Sequence, residues 1–293
     1  MAARDGTTVD ESVTGRPAPG LRPYIASYSG YRQAGLKPAR HTGLPSPYLT
    51  LIFTLDEPLT IAAHPDPAQP GGDYLTLAGG LHATPAFITH EGSQSGIQVS
   101  LSPLGAMVFL HCPAGELAGI DVDAEHVCGP LAAEIQQRIQ ASRTWEGRFA
   151  VLDEVFGAGL AESRDEGRPP VSPEVGFAWT RLLGSRGTVS VSALAAETGW
   201  SDRHLRTRFA REIGLTPKAA GRVVRFDRAR RLLRRRAEAS RPLDLAALAA
   251  HCGYYDQAHL DAEFRVLAGA APTRWLASEF RNLQAGSGTA AEG

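Results

Sequence analysis

The chain has 293 residues, enough for two domains that each bury a core of their own. Hydrophobic residues make up 43% of the chain, but no apolar run reaches the ~20 residues that cross a bilayer. The first residues are polar and do not resemble a signal peptide. We therefore expect a cytoplasmic protein without a membrane partner. The net charge of −1 hides an uneven distribution of charge along the chain. Residues 1–175 carry 11 Lys and Arg against 20 Asp and Glu, whereas residues 176–293 carry 19 Lys and Arg against 11 Asp and Glu. This asymmetry predicts that only the second part binds a polyanion.

Short apolar runs dominate the first part of the chain. Residues 1–20 have the composition of a disordered tail. From Arg40 to Leu110, clusters of Pro, Gly and Asp separate the runs YLTLIFTL, PLTIAA, DYLTLAGG, PAFITH and GIQVSLSP, a pattern typical of β-strands. Several short strands at close spacing predict a barrel or sandwich of cupin-like type, in a β-rich sensor or dimerisation domain over residues 21–160.

Two helical segments follow the strands, GPLAAEIQQRIQAS and TWEGRFAVLDEVFGAG. In the second segment, with Thr144 as N-cap, apolar side chains recur at helical spacing. They are Trp145, Phe149, Leu152 and Phe156. Such a stripe most often packs on its own domain; the alternative is the interface of a homodimer.

Residues 161–173 lack apolar periodicity and contain three prolines, which predicts a linker. A second domain is expected over residues 174–281, and residues 282–293 resemble a second disordered tail. The second domain contains an internal repeat. Its copies, LAAETGWSDRHLRTRFAREIGLTP and LAAHCGYYDQAHLDAEFRVLAGAAP, share their spacing apart from one extra residue in the second turn.

Each copy predicts a helix-turn-helix unit. A small Ala lets two helices cross closely, and a Gly ends the first helix in the left-handed conformation. A Leu and a Phe one turn apart then bury one face of the next helix. These framework residues are Ala195, Gly199, Leu205 and Phe209 in the first unit and Ala249, Gly253, Leu260 and Phe264 in the second.

The other face of the second helix in the first unit is basic and is predicted to bind DNA. Its candidates are Ser201, which is also the expected N-cap, and Arg203, His204, Arg206, Thr207 and Arg208. Arginine binds guanine O6 and N7 through two hydrogen bonds, so direct base recognition is the favoured interpretation. The alternative is a solvated helical face without a partner.

A long helix is predicted between the two copies, over PKAAGRVVRFDRARRLLRRRAEAS. Thr216 and Pro217 suit its N-cap and first turn. Its apolar stripe is Val223, Phe226, Ala229 and Leu233, and its arginines include Arg222, Arg225, Arg228 and Arg234. Such a helix would hold two recognition helices ~34 Å apart, the spacing of successive major-groove segments.

Over about residues 174–281 the sequence resembles the AraC-type (AraC/XylS) transcriptional regulators. The first unit, Arg225 and Ala229 of the connecting helix, and GYYDQAHL…EF with a following Gly and Pro carry the resemblance. It implies an α+β protein whose β-rich domain with appended helices precedes an all-α DNA-binding domain of two helix-turn-helix units joined by a long linker helix. It also implies that Arg203, Arg206 and Thr207 face the bases.

In the second unit the corresponding DNA-binding candidates are Asp256, Gln257, Ala258, His259 and Asp261. The sequence departs from the family at Ala262, where a basic residue is common, and Asp261 and Glu263 disfavour close approach to phosphates. We therefore expect the second unit to add less base specificity and mainly to position the module.

These observations predict a bacterial transcription factor, activator or repressor, that binds double-stranded promoter DNA and contacts RNA polymerase. Its N-terminal domain would bind a small-molecule effector or form a homodimer; alternatively, it is an oligomerisation module without a ligand. An enzyme built on a metal-binding barrel is a third hypothesis, resting on His41, His64, His82, His90 and His111. Their spacing does not place two imidazoles on one strand face near a carboxylate, so neither a metal nor catalysis is expected.

Two further groups of motifs bear on cofactors. The sequence has no GxxxxGK loop, GxSxG elbow or dinucleotide fingerprint, so no cofactor is expected. Cys112, Cys128 and Cys252 are too irregularly spaced for a disulfide framework or a zinc site. They are expected to be incidental thiols, the alternative being a redox sensor with an exposed thiolate.

Overall fold

The computed structural model describes residues 8–165 and 171–287, which form a β-rich N-terminal domain and a helical C-terminal domain. The strands within these residues are β1 Val9–Gly15, β2 Ile25–Ala34, β3 Ala39–Gly43, β4 Leu49–Thr54, β5 Leu59–Ala63, β6 Gly72–Tyr74, β7 Thr76–Gly79, β8 Ala86–His90, β9 Gln94–Leu101 and β10 Asp121–Val122. They pair antiparallel in a larger sheet, ordered β1-β2-β9-β4-β7-β10, and a smaller sheet, ordered β3-β8-β5-β6. The predicted fold class, a cupin-like β-rich domain before an all-α domain, is confirmed.

Strand β4 explains how the larger sheet is covered. Successive side chains of a strand point to opposite faces, yet almost every residue of LTLIFT is buried. Leu51 and Phe53 lie in the main core together with the helical residues Ile135 and Phe156. Ile52 points to the other side, into a smaller core whose other buried members are Leu59, Ile61 and Leu77. Helices therefore cover one face of the larger sheet, and the smaller sheet covers the other.

The helices of the N-terminal domain are α1 Pro103–Phe109, α2 Glu125–Cys128, α3 Pro130–Ala141 and α4 Trp145–Asp165, with a 3₁₀ turn at Ala114–Leu117. Helix α4 carries the apolar stripe for which packing on its own domain is the favoured interpretation and a dimer interface is the alternative. That stripe is Trp145, Phe149, Leu152 and Phe156. Leu152 and Phe156 are fully buried, and the Phe149 ring stacks on Tyr28 with 5.8 Å between centroids. The rings pack within the chain, because Gly30 and Gly15 of the sheet leave room for Trp145 and Phe149. Both rings stay half-buried, so the dimer interface remains a prediction.

The predicted domain boundaries also shift. Strand β1 lies inside the expected tail of residues 1–20 and pairs with β2 along its whole length, since an edge strand with polar side chains can complete a sheet. Helix α4 extends to Asp165, into the predicted linker, and the last helix reaches Ser287, into the predicted tail of residues 282–293. Residues 1–7, 166–170 and 288–293 lie outside the described residues.

The C-terminal domain consists of helices in its described part: α5 Pro173–Gly184, α6 Val191–Thr198, α7 Asp202–Ile213, α8 Pro217–Glu238, α9 Leu245–His251, α10 Gln257–Ala268 and α11 Pro272–Ser287. The buried residues of α6 and α7 join the main core of the N-terminal domain, whereas α9 and α10 share a separate core with α8. Among residues 8–165 and 171–287, no helix combines the length and the apolarity needed to cross a membrane.

The cysteines lie in protected positions. Cys128 and Cys252 are buried and Cys112 is half-buried. Burial raises the pKa of each thiol, that of Cys128 to about 12. A thiol of raised pKa is a weak nucleophile, which favours the interpretation as incidental thiols over a redox sensor.

The burial of Phe156 predicts a loss of stability without a change of oligomeric state. Phe156→Ala should lower the free energy of unfolding by about 3–5 kcal/mol, because it removes a fully buried ring and leaves a cavity. Phe177→Ala, at a position with 47% exposure, is the control and should change little. Urea denaturation and light scattering provide the two measurements. A Phe156→Ala protein that kept its stability but changed its oligomeric state would contradict the intramolecular packing.

Candidate nucleic-acid interface

The first helix-turn-helix unit is built from helices α6 and α7. Gly199 ends α6 with φ of 70°, the left-handed conformation that glycine adopts without strain. Ser201 caps α7, since its Oγ accepts a hydrogen bond from the His204 N–H at 3.3 Å. Leu205 and Phe209 are fully buried. One face of α7 is thereby fixed inside the domain, and the opposite face points outward.

The outward face of α7 presents Arg203, Arg206 and Thr207, all exposed. The Arg206 side chain is 59% exposed and lies 3.7 Å from the Asp202 carboxylate, a contact that exposure to water weakens. The Thr207 hydroxyl donates to the carbonyl oxygen of Arg203. Two guanidinium groups on one exposed helical face form an arrangement that suits base edges in a major groove.

Two other candidates of the first unit have local partners. Arg208 binds the Glu212 carboxylate at 2.8 Å, and buried Glu212 also accepts hydrogen bonds from the backbone and hydroxyl of Ser172. This network holds Arg208 at the boundary with the N-terminal domain, where Met107 lines the same cavity, and its DNA-binding role stays a prediction. His204 is exposed, and its ring packs edge-on against Trp200 with 4.5 Å between centroids.

The second unit repeats this geometry in helices α9 and α10. Gly253 has φ of 78°, and Asp256 caps α10 by accepting a hydrogen bond from the His259 N–H at 2.8 Å. Leu260 and Phe264 are fully buried, like their counterparts in the first unit. The two recognition helices, α7 and α10, therefore present equivalent positions outward.

The side chains at those positions differ between the units. Gln257 and Ala258 are exposed on α10. The Nδ1 atom of His259 accepts the Tyr255 N–H at 3.3 Å, and its ring packs against Tyr254, which gives His259 a role within the unit. Asp261 is half-buried, with its Oδ1 atom shielded from water.

The linker helix α8 contributes to both units. Its predicted apolar stripe, Val223, Phe226, Ala229 and Leu233, is fully buried in the core of the second unit. Ala220 and Val224, on another side of the helix, lie in the core that contains the first unit. Thr216 caps the helix and Pro217 opens it. Both units are thus packed against one continuous helix.

The arginines of α8 tie the two units to this helix. Arg222 forms two hydrogen bonds, of 3.0 and 2.9 Å, with the Glu263 carboxylate on α10. Arg225 donates to the Gly187 carbonyl oxygen, ahead of the first unit, and its guanidinium lies 5.8 Å from the ring of Tyr254 in the second. This structural use of the arginines was not predicted from the sequence, although the acidic Glu263 at a helical core position could have signalled it.

Other charged residues of α8 also bind within the domain. Arg228 donates to the backbone and ring of His251, Arg230 and Arg231 bind Asp227, and Arg234 binds Glu238. These contacts direct much of the positive charge of the linker helix toward protein partners. The exposed guanidinium groups of α7 are therefore better placed to meet DNA than those of α8.

The histidines of the N-terminal domain do not assemble a metal site. His41 and His90 lie with 6.1 Å between ring centroids, and His64 instead binds the Asp121 carboxylate at 2.7 Å. Across residues 8–165 and 171–287, no three His, Cys, Asp or Glu side chains are grouped so that they could hold a metal ion.

Comparison with protein families agrees with the geometry of the two units. A family model described as a helix-turn-helix domain matches residues 194–278, which span both units and the linker helix. The C-terminal domain is an AraC-type helix-turn-helix domain. Such domains bind DNA in transcriptional regulators, so the resemblance noted in the sequence is confirmed, and the coarse function is that of a DNA-binding regulator. A second model, described as a domain of unknown function, matches residues 14–123.

Solved structures extend the similarity beyond the AraC-type domain. ToxT from Vibrio cholerae is 10% identical, with a TM-score of 0.50 over 85% of this chain and 97% of ToxT. An apo ToxT variant from strain SCE256 is 7% identical, with a TM-score of 0.50 over 92% and 97%. A ToxT structure with bound unsaturated fatty acid is 8% identical, with a TM-score of 0.49 over 94% and 96%. The first two of these structures establish a common fold with this chain. No curated protein sequence matches the chain.

The Arg222–Glu263 pair predicts a specific weakness of the AraC-type domain. Arg222→Met should lower the free energy of unfolding by about 2 kcal/mol, because it leaves the 12%-exposed Glu263 side chain without its cation. Adding Glu263→Gln should restore part of the loss. Exposed Arg235→Met is the matched control. Thermal denaturation of the four proteins tests this, and equal stability of Arg222→Met and wild type would contradict it.

Proposed function

We propose that the protein regulates transcription by placing recognition helices α7 and α10 in successive major-groove segments of a promoter. The observation that carries the proposal is the outward face of α7, where Arg203 and Arg206 are exposed while Leu205 and Phe209 hold the opposite face in the core. The linker helix supports a fixed spacing of the two units, since both pack on it, through Ala220 and Val224 on one side and Val223 and Phe226 on another. Successive major-groove segments on one face of DNA recur every ~34 Å.

Arg206 provides the direct test of base recognition. Arg206→Ala should weaken binding to a selected site by about 5- to 150-fold, because a bidentate contact with guanine contributes about 1–3 kcal/mol. Arg181→Ala, on α5 and paired with Glu197, is the matched control and should bind like wild type. Gel-shift titrations at several salt concentrations provide the measurement. Equal affinity of Arg206→Ala and wild type for the selected site would contradict the assignment.

The N-terminal domain contacts the first unit at the far end of α7. In the turn Ala114–Leu117, Gly115 lies so close to α7 that a Cβ there would clash with the Arg211 carbonyl oxygen. Gly214, which ends α7, also lies against this turn: a Cβ there would stand 3.2 Å from the Ala114 carbonyl oxygen and 3.4 Å from the Ala118 Cβ. These contacts leave Arg203 and Arg206 exposed. We infer that the N-terminal domain controls the orientation of α7 without covering its DNA-binding face.

A cavity of about 240 Å³ between the two domains supports control by an effector. It is lined by Lys37, His41 and His90 of the N-terminal domain and by Arg234 and Glu279 of the C-terminal domain. Burial, followed by the charge of His90, lowers the pKa of His41 to about 4, so its ring is neutral at pH 7. Burial raises the pKa of Glu279, although Arg234 and Arg230 act against it. Arg234 is also paired with Glu238, so the exposed Lys37 is the cation that favours a small organic anion between the domains.

Lys37 tests the effector proposal. The compounds tested are acetate, octanoate and octylamine. Octanoate and octylamine compare an anion with a cation of the same chain length, and acetate is a short anion. An anion at a hundredfold excess over its Kd should raise Tm by roughly 5 °C or more, and octylamine should not. Lys37→Gln should abolish the rise, whereas Lys218→Gln, exposed on α8, should retain it. If the wild-type protein responds to neither anion, the N-terminal domain acts without this class of ligand.

The contact with RNA polymerase and the homodimer stay predictions.

A further inference from the structure

The two recognition helices can be compared position by position because their cores and ends match. Leu205 and Phe209 of α7 and Leu260 and Phe264 of α10 are fully buried, and both helices end at a left-handed glycine. Each outward position of α7 thus has a counterpart in α10. Arg203, Arg206 and Thr207 correspond to Ala258, Asp261 and Ala262.

Where α7 carries Arg203 and Thr207, α10 carries exposed alanines, and the counterpart of Arg206 is the half-buried Asp261. The outer stripe of α10 consists of Ala258, Ala262 and Val266, which recur every four residues on one side of the helix, and of Tyr255, which lies just before the N-cap Asp256. Tyr255 is 93% exposed and Val266 48% exposed, and both alanines are exposed. Exposed Gln257 lies at the beginning of the same helix.

The chemistry of the major groove gives this stripe a specific occupant. Thymine presents a 5-methyl group there, which small apolar side chains such as alanine contact, and adenine presents N7 and N6, which glutamine binds with two hydrogen bonds. Alanine also allows the helix to approach the base edges closely. Neither residue type can form the bidentate guanine contacts available to Arg203 and Arg206.

The alternative occupant, a protein partner, fits the stripe less well. A stable protein interface buries roughly 800 Å² on each side, more than one tyrosine, one valine and two alanine side chains supply. The stripe also occupies the face that, on α7, carries the guanidinium groups. Its size and its position both favour DNA.

We propose that α10 recognises an A·T-rich segment, with Ala258 and Ala262 against thymine methyl groups and Gln257 on an adenine, while α7 recognises guanine. The operator is then asymmetric, and the orientation of the protein on a promoter follows from its sequence. This inference rests on the proposed function, and it explains how a helix without basic residues at these positions contributes to specificity.

Replacing thymine by deoxyuridine tests the inference, because it removes only the 5-methyl group. Sites are first selected from random duplex DNA with the full-length protein. Deoxyuridine in the segment facing α10 should weaken binding about fourfold for each contacted thymine, from the loss of one buried methyl group. Deoxyuridine in the segment facing α7 should weaken binding less, since Arg203 and Arg206 recognise guanine there.

A gain of arginine tests the same positions from the protein side. Ala262→Arg should change the base pair selected opposite α10 from T·A to G·C. Ala250→Arg, an equivalent change at an exposed alanine of α9, is the matched control and should leave the selected bases unchanged.

Three outcomes separate the claims. Deoxyuridine without effect in the segment facing α10, or a G·C preference there, would overturn the inference while leaving the proposed function intact. A second outcome would also overturn the inference: the protein selects a single DNA segment, and it self-associates unless Ala262 is replaced by Arg. The stripe would then bind a protein partner. Failure of the wild-type protein to enrich any duplex would overturn the proposed function itself.

Discussion

The arrangement of the DNA-binding domain depends on a single helix that is buried on two sides. Helix α8 places Ala220 and Val224 in the core of the first unit and Val223 and Phe226 in the core of the second. A helix is stiff over 22 residues, so neither unit can move far without breaking its packing on α8. The separation of the two recognition helices is thereby determined by core packing and does not require DNA to impose it.

Charge in this domain is divided between structure and recognition. Arg222 and Arg228 form hydrogen bonds that hold the second unit to α8, and Arg225 links the loop before the first unit to the turn of the second. Arg203 and Arg206 on α7 remain exposed. Counting basic residues therefore overstates the DNA-binding surface, and the position of each arginine relative to a buried carboxylate or carbonyl group decides its role.

Much of this domain could be predicted from the sequence because its signals are local. Gly199, Gly253, Ser201 and Asp256 determine helix ends through their own backbone and side chains, and the repeat revealed them. Strands β4 to β9 followed from apolar runs, but β1 is polar and exists because β2 offers it hydrogen-bonding partners. The hydrogen-bond network around Arg208 could not be predicted for the same reason, since Ser172 and Glu212 meet only in the folded chain. The sequence of α4 could not distinguish packing on its own sheet from packing on a partner.

The most direct test of two helices held at a fixed spacing is hydroxyl-radical footprinting of the full-length protein on a selected duplex. The account predicts two protected segments on one face of the DNA, with centres about 10 base pairs apart. A single protected segment, or two segments on opposite faces of the duplex, would contradict it.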